Sequence, residues 1–358
     1  MKHIFSIHNH ITFLAAVGTI VYERIPTDQV VLLCGGQYDP DTSAAFKGKV
    51  VPTYDRLESG FSFFQKIASF NYTKKANHYL TQITEGEPFT AYVDVMSVFN
   101  RYLVMHPQCQ QFHIIEEGIV NYADYDDFML WTADLRQFDW QWNGFGPVKQ
   151  KLNACFRLWR GRSLRLLAMP IHPNLYTLHR GVKAYCFSDV AFRYTQNEQK
   201  KILSWEGLTP YIKSPTTPYA DGDWFWIGDT LCKSYGVRME HFEKALQHLL
   251  ERLNPEKTAR TIYLKFRGGE PKAEQALTLH YLKAYGFQVV TVPPTEIMEM
   301  VFLQYKNLQV CGIASSLLIY AHLMGHQTHS LYAYLPDEYN ISLAKSYPTI
   351  AKKVGFLL

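Results

Sequence analysis

Short apolar runs that stop at glycine or proline alternate with helix-period segments, and this rhythm constrains the fold more than any other feature of the chain. In the second half, Trp224-Phe225-Trp226-Ile227 runs into Gly228-Asp229, and a helix is predicted over residues 239–253. Thr261 to Phe266 runs into Arg267-Gly268-Gly269, followed by a predicted helix from Glu274 to Tyr285. Phe287 to Val292 ends at Pro293-Pro294, with Thr295 capping a helix through Phe302. Leu308 to Cys311 meets Gly312, and Ser315-Ser316 open another helix. The first half reads the same way: strands at Ile4 to Ile7, Val30 to Cys34, Ala91 to Val95 and Phe112 to Ile115, with helices over 12–23, 61–75 and 96–105. Strands that alternate with helices pair in parallel. The expectation is an α/β chain of two Rossmann-like domains facing a central cleft. The first covers 1–145, a basic linker segment 146–200, the second domain 201–335 and a helical tail 336–358.

A chain of 358 residues is long for a single core, which agrees with two domains. With 47% hydrophobic and 19% charged residues it reads as well packed and soluble, and an aromatic content of 15% suits sites that grip sugars or bases by stacking. There is no apolar run of the length a membrane span requires. The start, Met1 to His10, lacks the apolar core and cleavage site of a signal peptide, so a cytoplasmic protein is expected. The six cysteines lie far apart with no Cys-x-x-Cys pair, against both a disulfide framework and a zinc site.

The net charge of +4 is unevenly spread. From Trp140 to Ser188 there is no acidic residue, while Lys149, Lys151, Arg157, Arg160, Arg162 and Arg165 interleave with Phe156, Leu158, Trp159 and Leu164. This pattern suits an anionic membrane surface or an anionic polymer, and equally an ordinary basic face. No nucleic-acid motif accompanies it, so nucleic acid is not an expected partner.

Glu116-Glu117-Gly118 closes the apolar run that ends at Ile115, which puts two carboxylates at a strand's C-terminal end, where open α/β sheets place ligands. Adjacent like charges raise the proton affinity of one of them, which makes a candidate general base. Taken alone, the pair also reads as a solvated acidic turn. Three further strand ends carry anion-binding chemistry. Lys265 and Arg267 flank Phe266 before two glycines; Gly312 and Ser315-Ser316 open a helix with hydroxyls and free N–H groups; Gly228-Asp229 closes a strand. Together they favour a nucleotide phosphate. Glu296 could accept ribose hydroxyls, or serve as a carboxylate in a helix's first turn. Gly35-Gly36 lacks the continuation of a dinucleotide fingerprint. Asp124-x-Asp126 and Asp221-x-Asp223 look like metal-binding pairs, though turn chemistry explains both. His8 and His10 end the first strand and could reach a site, but a surface or capping role is the plainer reading.

In this order, Glu116-Glu117-Gly118, Lys265-Phe266-Arg267 and Gly312-x-x-Ser315-Ser316 resemble motifs of bacterial sialyltransferases, the lipooligosaccharide sialyltransferase and capsular polysialyltransferase families. The likeness spans nearly the whole chain. It implies a two-domain GT-B architecture and an inverting, metal-independent enzyme with no cofactor. The donor would be CMP-sialic acid or a related CMP-nonulosonic acid, and the acceptor a glycan on a lipid at the inner membrane face. Glu116 and Glu117 match the motif whose carboxylate deprotonates the acceptor, with Glu116 slightly preferred. Ser315 and Ser316 match the pair that holds the CMP phosphate. The family places His-Pro where this chain has Arg267-Gly268. The leaving group is already a stable anion, and a guanidinium can bind it bidentately, so Arg267 is expected to replace protonation by charge. The departure leaves open a changed donor, such as Kdo on CMP, or a non-catalytic glycan- or nucleotide-binding homologue.

Overall fold

The computed structural model describes residues 1–36, 38–54, 57, 72–94, 98–122, 181–193, 195–313, 315–336 and 342–356. They fall into two compact units, Met1–Ile212 and Lys213–Leu358.

The first unit is built on strands β1 (Lys2–Ile7), β2 (Val30–Cys34), β3 (Lys49–Pro52), β4 (Phe89–Val93), β5 (Cys109–Ile115), β6 (Ala184–Cys186) and β7 (Lys200–Ile202). They form one parallel sheet in the order β3-β2-β1-β4-β5-β6-β7. A parallel strand covered on both faces must be apolar along its length, and β2, Val-Val-Leu-Leu-Cys, is buried at every position. Helix α1 (His10–Glu23) starts where Asn9 accepts from the Thr12 N–H while the Thr12 hydroxyl accepts from the Asn9 N–H, a reciprocal cap that fixes how the chain leaves β1.

The second unit repeats the plan with β8 (Trp224–Ile227), β9 (Arg260–Lys265), β10 (Phe287–Thr291), β11 (Gln309–Gly312) and β12 (Gln327–Ser330). All pairs are parallel, in the order β10-β9-β8-β11-β12. The predicted helices appear as Met239–Leu253, Lys272–Ala284, Met298–Gln304 and Ser316–Leu323, the third with Ile297 rather than Thr295 at its cap, so the chain turns after Pro293-Pro294 before the helix begins. In each sheet the connections run to one side of the first strand and then to the other. The order therefore reverses between β1 and β4 in one unit and between β8 and β11 in the other. These are the switch points at whose C-terminal ends doubly wound sheets open a crevice for ligands.

Two Rossmann-like units, as expected from the sequence, are present. The described end of the segment read as a linker, residues 181–193 and 195–200, joins the first unit, where 184–186 form the sixth strand. The basic stretch 149–165 and Asp124 and Asp126 lie outside the described residues. Asp223 serves a turn, accepting from Ala220 N at 2.8 Å, whereas Asp221 accepts from Lys306 N, far along the chain, at 2.7 Å. Among the described residues no helix is long and apolar enough to cross a membrane.

Candidate functional site

The strand ends at the first switch point converge on one cluster. β1 ends at Ile7 and delivers His8 and Asn9; β4 ends at Val93 and delivers Asp94; β5 ends at Ile115 and delivers Glu116 and Glu117. Asn9 caps α1 with its side-chain oxygen and donates its amide to the Glu117 carbonyl at 3.1 Å, tying the end of β1 to that of β5. The loop after β5 is shaped by Asn121, whose side-chain oxygen accepts from Glu117 N at 2.6 Å and Gly118 N at 3.3 Å. Gly118 has φ +152°, which a side chain would strain, so the motif's glycine sets the course of its two carboxylates.

Those carboxylates face different surroundings. Glu116 is fully buried and accepts from the Tyr122 hydroxyl at 2.8 Å and from Phe187 N at 2.7 Å. It pins the turn after β5 to β6. Glu117 is partly open, and its Oε1 lies 3.3 Å from His8 Nε2. The other ring nitrogen of His8 pairs with Asp94, which is 1% exposed and accepts from Asn100 Nδ2 at 2.9 Å. Burial disfavours charge on the His8 ring, but Asp94 and Glu117 outweigh it and push the pKa up to about 11. His8, with a side chain 37% exposed, thus stands as an imidazolium between two carboxylates at the sheet edge.

In the second unit, Arg267 follows β9 and pairs its guanidinium with Asp229, which follows β8 and is 1% exposed. The Arg267 side chain itself is 55% exposed. Its backbone N–H donates to Glu270 at 3.1 Å, and Glu270 sits over Gly228. Burial, then the charges of Glu274 and Asp229, raise Glu270 to about 7 against the opposing Arg267 N–H and guanidinium. Burial also raises Glu274, while N–H groups at the start of the short helix Leu231–Tyr235 pull it down. A β-carbon on Gly228 would lie 2.2 Å from the Glu270 carboxylate. Gly228→Ala is therefore expected to cost about 1–3 kcal/mol by overpacking, read from the denaturation midpoint. An unchanged midpoint would show that Glu270 moves aside freely.

The remaining candidates separate. Gly312 brings β11 close to β8, since a β-carbon there would lie 2.7 Å from the Ile227 carbonyl. Ser315 caps the helix Ser316–Leu323, accepting from Leu317 N at 3.2 Å, and both serines are half-buried at the C-terminal edge of the sheet. Lys265 does not share a site with Arg267: its ammonium donates to the carbonyls of Pro293, Pro294 and Glu296, each at 2.8 Å. Burial lowers its pKa despite the nearby Glu296 and Glu299. Glu296, expected near a ribose, precedes the helix Met298–Gln304 and directs its carboxylate at Thr216 and Thr217. It accepts both their N–H groups, at 3.2 Å each, and both hydroxyls, at 2.9 and 3.0 Å. In this structure Lys265 and Glu296 hold the entry to the second unit together.

No protein-family model matches the chain. None of the curated proteins matches it either. Solved structures similar in outline include a sialyltransferase from Photobacterium damsela, at 11% identity and a TM-score of 0.48, covering 99% of this chain and 79% of that one. A putative UDP-N-acetylglucosamine 2-epimerase from Listeria monocytogenes aligns at 8% identity and a TM-score of 0.44, over 99% and 89% of the two chains. The E. coli heptosyltransferase WaaC aligns at 13% identity and a TM-score of 0.40, over 92% and 87%.

Proposed function

We propose that the chain is an inverting, metal-independent glycosyltransferase that moves sialic acid, or a related nonulosonic acid, from its CMP donor to a glycan hydroxyl. One observation carries the reading: each parallel sheet presents, at the C-terminal edge beside its switch point, the group that one half of this reaction needs. The first offers a carboxylate, Glu117, with Glu116 committed to the fold; the second offers a guanidinium, Arg267. The motif order supports the same donor class.

The acceptor oxygen attacks the anomeric carbon as its proton passes to Glu117. The bond from that carbon to the phosphate oxygen breaks, and its electron pair leaves with CMP. Arg267, held by Asp229, offsets the charge gathering on the phosphate, and Ser315 and Ser316 supply hydroxyls and N–H groups to its oxygens. This arrangement places the charge-offsetting role on protein groups and calls on no cofactor. The acceptor is a glycan carried on a lipid, and the cationic stretch 149–165 supports work at the cytoplasmic face of a membrane.

A donor panel with mass-spectrometric readout tests the proposal. Transfer from CMP-sialic acid with release of CMP is expected, and none from UDP- or GDP-linked sugars. Transfer only from CMP-Kdo would move the donor assignment, and CMP binding without turnover on any acceptor would make the chain a nucleotide-binding protein instead.

A further inference from the structure

A base must be in place when the acceptor arrives, and the groups around Glu117 bear on that requirement. His8 leaves β1 with its ring between Asp94 at Nδ1 and Glu117 at Nε2, the latter 3.3 Å away. Asp94 is buried and braced by Asn100, so it anchors the ring by one nitrogen and fixes where the other can reach. The Asn9 amide nitrogen also approaches Nε2, at 3.2 Å, and as a donor it favours a neutral ring. Two carboxylates outweigh one neutral amide, because charge-assisted bonds are about twice as strong as neutral ones. Among the described residues, the titratable groups facing His8 are Asp94 from the end of β4 and Glu117 from the end of β5. Gly35, beyond β2, sets only backbone against it.

Resting on the transferase reading above, we propose that His8 is a positioning residue: anchored by Asp94, its ring holds the Glu117 carboxylate in place at the edge of the first sheet. The acceptor's proton then goes to Glu117 while His8 keeps its own. Without the cation, Glu117 loses its restraint, and its carboxylate is less often where the acceptor proton arrives.

His8→Gln and Asp94→Asn test this in the full-length chain. In both, the loss shows in the neutral-pH plateau of kcat/KM. The plateau falls about tenfold while the KM for the CMP donor stays unchanged, since the loss is of proton-transfer geometry. An unchanged plateau, or a donor KM that rises in step with the loss, overturns the proposal. Nitrogen-15 NMR of the histidine rings gives a readout independent of turnover. His8 stays charged above pH 8 in the unaltered chain and titrates lower in Glu117→Gln; titration near the ordinary value of 6.5 in the unaltered chain overturns the clamp. A chain that turns over no donor while His8 remains charged removes the transferase reading, and the positioning role with it, but not the clamp.

Discussion

On the proposed transferase reading, Glu117→Gln is expected to lower turnover of CMP-sialic acid about 10²–10⁴-fold, the range that a positioned general base supplies. In barrier height this is about 2.7–5.4 kcal/mol. Glutamine keeps the shape and can still face His8, so the folded fraction should change little and the loss should sit in kcat. The paired experiment at Glu116 comes out differently. Its two oxygens receive the Tyr122 hydroxyl and the Phe187 N–H in a fully buried position. Glu116→Gln turns one of those oxygens into an NH₂ group, so the Tyr122 hydroxyl must accept instead of donate and its proton loses this acceptor. The cost is about 1–3 kcal/mol of stability, and activity should follow the folded fraction. Steady-state kinetics and urea denaturation of both variants decide the matter. If Glu116→Gln abolishes turnover at full stability while Glu117→Gln remains active, the roles are reversed and the sequence preference for Glu116 stands.

The contrast between these neighbours shows what the sequence could and could not carry. Adjacent carboxylates after an apolar run locate a strand end, because a buried parallel strand must be apolar and its exit must be polar. Which carboxylate turns inward depends on Tyr122 and on Phe187, some seventy positions away, and no local pattern records that partner. The strands with strong apolar runs were legible for the same reason. β12, Gln-Thr-His-Ser, has no apolar run to read, and β6 and β7 are three residues each. His8 was visible as a residue at the end of β1, yet its importance depends on Asp94 arriving from the next strand across the switch point. The separation of Lys265 from Arg267 also follows from geometry. Alternate residues leave a strand in opposite directions only while the strand lasts, and β9 ends at Lys265. Lys265 therefore turns to the carbonyls after β10, and Arg267 to the acid after β8.

Glu270→Gln should make the chain more stable at pH 8, by as much as about 3 kcal/mol, since one unit of pKa shift corresponds to about 1.36 kcal/mol. In the unfolded chain Glu270 gives up its proton near 4.5, whereas in the fold burial and the neighbouring Glu274 and Asp229 hold that proton up to about 7. Between those values the folded state binds the extra proton, so this residue's contribution declines as pH rises through the window and is at its worst above it. Glutamine cannot ionise, still offers an oxygen to the Arg267 N–H, and removes one of three carboxyls gathered beside a single guanidinium. The gain over the unaltered chain should therefore be near zero at pH 4.5, grow toward pH 7 and level off beyond. Glu299, which burial also raises to about 7, titrates in the same window in both proteins and cancels in the difference. His8 has the same sign in a higher window: its stabilisation is complete below about 6.5 and fades as pH rises toward 11, again equally in both. Denaturant midpoints at pH 5 and pH 8 give the answer. A Glu270→Gln variant that is less stable at pH 8, or whose gain is the same at both values, would show that this carboxyl is held charged in the fold and that its ion pairing with Arg267 prevails over its burial.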